Sequence, residues 1–106
     1  MIEAHLKPPY YAVIFTALLT DDITDYVKTA ERMEELAKEQ EGYLGIESAR
    51  NQIGITVSYW KDLDAITRWK NHVEHTEARE RGRKQWYQQY QLRICKVEHE
   101  YGFLKE

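Results

Sequence analysis

The chain has 106 residues, 42% of them hydrophobic, with three Trp, eight Tyr and two Phe and a formal net charge of −3. A chain this short buries only roughly 60 to 65% of its unfolded surface, which is enough for one modest core and leaves little to spare. The acidic balance argues against a nucleic-acid partner, the lack of any apolar run near ~18 residues argues against a membrane span, and the single Cys95 rules out an intrachain disulfide. The expectation is one cytoplasmic domain over residues 1–106, with 1–9 as an N-terminal extension.

Tyr10 to Leu19 follows the Pro8-Pro9 pair and is rich in aromatic and β-branched residues, so it reads as a strand stopped by Thr20-Asp21-Asp22. Its even positions (Tyr10, Ala12, Ile14, Thr16, Leu18) and odd positions (Tyr11, Val13, Phe15, Ala17, Leu19) are both predominantly apolar. A strand with one wet face would alternate, so each side of this one needs a cover.

From Ile23, apolar or aromatic residues at Tyr26, Val27, Ala30, Met33 and Ala37 follow the spacing of one helical face. Asp21 or Asp22 is the expected N-cap, the helix runs to about Gln40, and Gly42 is placed as its stop. Tyr43 to Arg50 and Ile53 to Trp60 then read as two strands about an Asn51-Gln52 turn. Ile53, Ile55, Val57 and Tyr59 share one side of the second, opposite Thr56, Ser58 and Trp60.

Asp62 is the expected cap of a helical region from Leu63 to about Tyr90, with Leu63, Ile66, Trp69 and Val73 as its apolar stripe and Gly82 as the break. Gln91 to Tyr101 reads as the last strand. The order β-α-β-β-α-β is the ferredoxin-like α+β pattern, an antiparallel sheet with both helices on one side. The uncovered apolar face then calls for a second copy. Covering ~500 Å² per chain at ~25 cal/mol/Å² favours pairing by about 10 kcal/mol per chain before association costs, so a two-fold homodimer with its sheets face to face is expected.

Candidate chemistry concentrates between Ser58 and Arg93. His72 and His75 lie three apart on a helix surface; either can act as a general base near neutral pH, and no third ligand at a matching position completes a metal set. Trp60, Trp69 and Trp86 suit core packing or the walls of a pocket for a flat ligand, with Tyr87 and Tyr90 closing it and Arg83 or Arg93 as polar anchors. The basic run Arg79, Arg81, Arg83 and Lys84 is interleaved with Glu77 and Glu80 and reads as a solvated helix face. The five glycines are scattered, so no phosphate-binding loop forms, and Cys95 lies mid-strand as a packed thiol.

Gln40-Glu41-Gly42-Tyr43-Leu44-Gly45, and Tyr59-Trp60 followed by Ala65 and Trp69, are similar to motifs of the antibiotic biosynthesis monooxygenase family, the dimeric α+β barrel proteins. The resemblance spans nearly the whole chain. It implies a homodimer with a pocket between sheet and helices, and a cofactor-independent oxygenase acting on a small aromatic phenol or quinol. His72 or His75 would then be the base, Trp60, Trp69, Trp86 and Tyr90 the apolar walls, and Arg83 or Arg93 the anion stabiliser.

The same resemblance implies two alternatives, a haem-degrading oxygenase and a non-catalytic dimer that binds a small aromatic molecule. Haem-degrading relatives place an iron-ligating histidine ten residues after the tryptophan matching Trp69, and an asparagine within the first strand. This chain has Arg79 at that distance and no asparagine in Tyr10 to Leu19.

Overall fold

A computed structural model describes residues 2–106. Four strands, β1 (Tyr10–Leu19), β2 (Tyr43–Arg50), β3 (Gly54–Trp60) and β4 (Tyr87–Val97), form one antiparallel sheet in the order β2-β3-β1-β4. Three helices, α1 (Tyr26–Lys38), α2 (Leu63–Lys70) and α3 (Val73–Arg81), complete the ferredoxin-like α+β fold. No helix among the described residues is long and apolar enough to cross a membrane.

Pairing fixes which side chains share a face. Tyr11 lies opposite Trp60, Val13 opposite Ser58 and Phe15 opposite Thr56. The odd residues of β1 therefore lie on the Trp60 side, where Trp60, Ala65, Ile66 and Ala37 form the core and Tyr11, Val13, Tyr43 and Trp69 pack against it. Trp60 is fully buried, so of the two expected readings of this residue packing is the one observed.

The even residues of β1 face away from the helices, and Ile55 on the neighbouring strand is 45% exposed. That face is not bare throughout. At one end Tyr10 is buried, its hydroxyl donating to Glu100 at 2.7 Å and its ring meeting Tyr59 edge-on at 5.7 Å. Tyr59 donates to Glu47, which also accepts the Glu3 backbone N–H at 2.8 Å. Burial first, then the bond to Glu100, pushes the Tyr10 phenol up to about 12.

Several boundaries differ from the sequence reading. α1 begins at Tyr26, after Asp25 in the left-handed region at φ 64°, and Asp25 makes no side-chain cap. Asp22 instead accepts from the Thr24 N–H and hydroxyl and closes a turn upstream of the helix, a local bond that competes with capping. The second helical region breaks at Asn71-His72 as well as at Gly82, where α3 ends as expected. At Gly82 the coil widens into a π-helical turn, Gly82–Trp86.

β4 starts at Tyr87, four residues early, and ends at Val97, four residues before the expected limit. Ordinary alternation would put Tyr87 and Tyr90 on opposite faces. A bulge lies between the pairs Leu18–Gln89 and Leu19–Tyr87, and it brings both onto the helix side.

Candidate active site

The loop from β3 into α2 sets the position of Trp69. Lys61 donates its backbone N–H to the Gly42 carbonyl at 2.7 Å, and Asp62 caps α2 by accepting from the Ala65 N–H at 2.8 Å. Gly42 holds φ 88°, and a Cβ there would stand 2.6 Å from that of Ala65, so glycine is required by both backbone and space. Ala65, Ile66 and Trp69 then form the buried stripe of α2. Trp69 stacks over Trp60 at 6.3 Å with 23° between the planes.

The break at Asn71-His72 folds α3 back against the end of α2. His72, His75, Thr76 and Arg79 occupy one face of α3 at helical spacing, and three of them meet carbonyls that α2 leaves without helical partners. His75 Nδ1 lies 3.0 Å from the Trp69 oxygen, the Thr76 hydroxyl donates to the Lys70 oxygen at 3.3 Å, and Arg79 Nη2 donates to the same oxygen at 3.2 Å. The His75 ring lies flat on Trp69, 4.4 Å away with 9° between the planes, and His72 is tilted against the same indole at 5.6 Å.

This geometry sets the protonation of His75. A carbonyl only accepts, so Nδ1 carries the proton and Nε2 carries the lone pair. Burial lowers the His75 pKa; the bond to the Trp69 carbonyl works against that, and Arg79 and His72 add to the lowering. The imidazole is therefore neutral at neutral pH. Beside it, His72 Nδ1 and Arg79 Nε are buried without a hydrogen-bond partner among the described residues.

A second aromatic group sits further along the same side of the sheet. Phe15 packs against Tyr87 at 5.3 Å and Tyr90 at 5.2 Å, and Tyr26 meets Tyr87 at 6.0 Å and Trp86 at 5.5 Å. Burial and the neighbouring Tyr26 raise the Tyr87 phenol. Between the two groups Val13 pairs with Ile94 and Phe15 with Leu92, and these β4 residues are about half exposed at 49% and 45%. The floor over β1 and β4 is thus open and apolar.

The expected site residues divide accordingly. Trp69, His72 and His75 come together, and Tyr90 faces the same side, from a strand and not from a helix. Trp86 is 2% exposed and donates its indole N–H to the Thr24 carbonyl at 2.8 Å, with the Arg81 guanidinium 5.0 Å from its ring. It pins the π-helical turn to the loop before α1. Arg83 is exposed on that turn. Arg93 pairs with Ile14 and so lies on the opposite face from Trp60, beside Thr16, Leu18, Ile53, Gln89 and Gln91. Strand alternation takes it away from the histidines. Arg79, which the sequence reading left on a solvated face, belongs to the cluster; its place seven residues after His72 was the available signal.

The profile of the family described as Antibiotic biosynthesis monooxygenase matches residues 9–81. The chain belongs to this family. It is 51% identical over 94 residues to the uncharacterized protein YqjZ of Bacillus subtilis (strain 168), covering 87% of this chain and 82% of that one. In fold it is similar to SnoaB, a cofactor-independent oxygenase from Streptomyces nogalater, with a TM-score of 0.74, 10% identity, and 87% of this chain and 96% of that chain covered. It is likewise similar to PA3566 from Pseudomonas aeruginosa, with a TM-score of 0.71, 14% identity, and 92% and 100% covered.

Within this family the haem alternative meets a specific obstacle. Arg79, ten residues beyond Trp69, cannot ligate iron and is committed to the Lys70 carbonyl. His75 retains Nε2 as a donor atom, but it lies four residues, one helical turn, before that position. The residues present do not fit haem in the family's arrangement.

Proposed function

We propose that the chain is a cofactor-independent monooxygenase of small, flat phenols or quinols, working as a homodimer. The observation that carries this reading is His75. It is stacked on Trp69, its Nδ1–H is fixed by the Trp69 carbonyl, and it is kept neutral by burial. A base held in one tautomer, with Nε2 bare, can take a hydroxyl proton at neutral pH. The substrate's ring lies along the apolar floor of Val13, Phe15, Leu92 and Ile94 beside the Trp69 shelf.

Deprotonation raises the electron density of the aromatic ring, and the resulting anion reduces dioxygen. The substrate supplies all four electrons: a ring carbon forms a bond to one oxygen atom, the O–O bond breaks, that carbon loses its hydrogen and becomes a new carbonyl, and the other oxygen leaves as water carrying that carbon's proton. His75 returns its proton to the departing oxygen. His72, on the same indole, and the Arg79 guanidinium stabilise the anion. The fold shared with SnoaB, a cofactor-independent oxygenase, supports the reading without identifying a substrate. The homodimer is supported by apolar side chains on the sheet face away from the helices, among them Ile14, Leu18, Ile55 and Val57.

Oxygen uptake with a panel of hydroquinones tests the proposal. Uptake by the native protein, lost at least 100-fold in His75→Ala with binding retained, is the expected result. No uptake above buffer, with ligand binding intact, makes the protein a small-molecule-binding dimer. A Soret band on titration with haemin, absent in His75→Ala, would replace the reading with a haem protein.

A further inference from the structure

Arg50 ends β2 on the helix side of the sheet. It pairs with Gly54, which pairs with Ala17, one of the odd residues of β1 that face the helices. Gly54 is buried, and a Cβ there would overlap Nη2 and Cζ of Arg50, so the arginine lies across the place where a side chain would stand. Its guanidinium carbon stops 5.8 Å from the centre of the Tyr26 ring. Its charge also reaches Tyr87, where it opposes the rise of the phenol.

This guanidinium is exposed and has no carboxylate to neutralise it. The ion pairs among the described residues are made by Arg32, Lys38 and Arg81. A planar fork of donors on an arginine suits bidentate binding of a carboxylate, and here it stands beside two phenols. Phe15, packed on Tyr87 and Tyr90, joins the cluster to the apolar floor of Leu92 and Ile94. The length of the helix above gives the scale of that floor. Gly82, just past the end of α3, abuts the Tyr87 ring, and seven helical residues, about 10 Å, separate it from His75. α3 buries none of its own residues, so this helix does not fill the space over the floor.

We infer that Arg50, with Tyr26 and Tyr87 beside it, binds the carboxylate of an aromatic hydroxy acid whose hydroxyl end lies at His75. The inference rests on the proposed function for the hydroxyl end and adds the substrate class: a flat ring system, two fused rings in length, with an acid at the end remote from the reacting hydroxyl. Arginine keeps its charge at every working pH, so the acid end is selected by charge and the hydroxyl end by the base. Gly54 is a positioning residue, since it makes room for the guanidinium without touching the ligand.

Ligand fluorescence tests the acid site with a hydroxynaphthoate whose hydroxyl and carboxylate stand at opposite ends of the rings, and with its methyl ester. The native chain is expected to bind the acid at least tenfold more tightly than the ester. Arg50→Gln should abolish that preference by weakening the acid alone, and Arg50→Lys should restore part of it. Gly54→Ala keeps the arginine but displaces it, and should weaken the acid at least threefold. The ester, bound equally by all four chains, reports that fold and floor are intact. Equal affinities for acid and ester in the native chain, or a preference that survives in Arg50→Gln, overturn the acid site whatever oxygen uptake shows. An Arg50-dependent preference for the acid, with no oxygen uptake from any hydroquinone, upholds the acid site and overturns the oxygenase reading.

Discussion

Two aromatic groups share one side of the sheet, and they are built for different ends. The group around Trp69 surrounds its indole with a neutral histidine, a second histidine and an arginine, and leaves polar atoms of His72 and Arg79 unpartnered. The group around Phe15 brings together tyrosines and Trp86, and its buried indole N–H is satisfied by the Thr24 carbonyl. Unsatisfied buried polar atoms cost about 1–3 kcal/mol each, so a fold tolerates them where they serve a ligand and removes them where it only packs. Under the proposed function, the α2–α3 junction is the reactive end and the Trp86 end the anchor.

The largest effect expected in this comparison comes from beneath the reactive end. Trp60→Ala removes the one large side chain that is fully buried among the described residues and takes the support from under Trp69. A loss of about 3–5 kcal/mol in denaturant unfolding is expected, together with loss of the His75 stack. At the anchor, Trp86→Phe keeps a ring beside Tyr26 but removes the shorter of the two bonds to the Thr24 carbonyl, leaving the one from Arg81 at 3.4 Å. It should cost about 0.5–1.5 kcal/mol in the same measurement and leave oxygen uptake per folded molecule unchanged. Equal loss of uptake in this variant would erase the distinction between the two ends.

How much of this was legible in the sequence differs between the two groups. The element order and the two-faced strand followed from periodicity, because apolar spacing reports the buried face of each element, whereas the stacking of His75 on Trp69 needs the chain reversal at Asn71-His72. The role of Arg79 was hidden. Its alternation with acidic residues resembles a solvated face, and only the chain reversal at Asn71-His72 turns that face onto the α2 carbonyls. Arg93 and Tyr90 show the opposite limitation. A misplaced boundary of four residues put Tyr90 on a helix, and Arg93 could be assigned to the pocket only while its strand register was unknown. The bulge that gathers Tyr87 and Tyr90 depends on pairing with β1, and nothing local in Tyr87-Gln88-Gln89-Tyr90 announces it.

A smaller change sharpens the comparison from outside either group. Asp62→Ala removes the cap of α2, whose orientation sets Trp69. About 1 kcal/mol of stability should be lost. Because α2 carries only the reactive end, affinity for an aromatic ligand should fall in this variant while Trp86 fluorescence, isolated in a Trp60→Phe, Trp69→Phe background, stays constant. A shifted Trp86 signal would mean that the two ends move as one body.

The last effect separates the ends by pH. His75 has a depressed pKa in the folded chain, against a value near 6.5 when it is solvated. Between those values the unfolded chain binds more protons than the folded one, so stability rises with pH across the window. The contribution is fully present above 6.5 and is lost as the pH falls toward the depressed value. The denaturation midpoint of the native chain should therefore drop more between about pH 7.5 and pH 5 than that of His75→Phe, which keeps a ring on Trp69 and cannot titrate there. Trp86→Phe, at the anchor, should show the native slope. A His75→Phe slope as steep as the native one would mean that burial does not hold His75 neutral, and the base would have to be sought at His72.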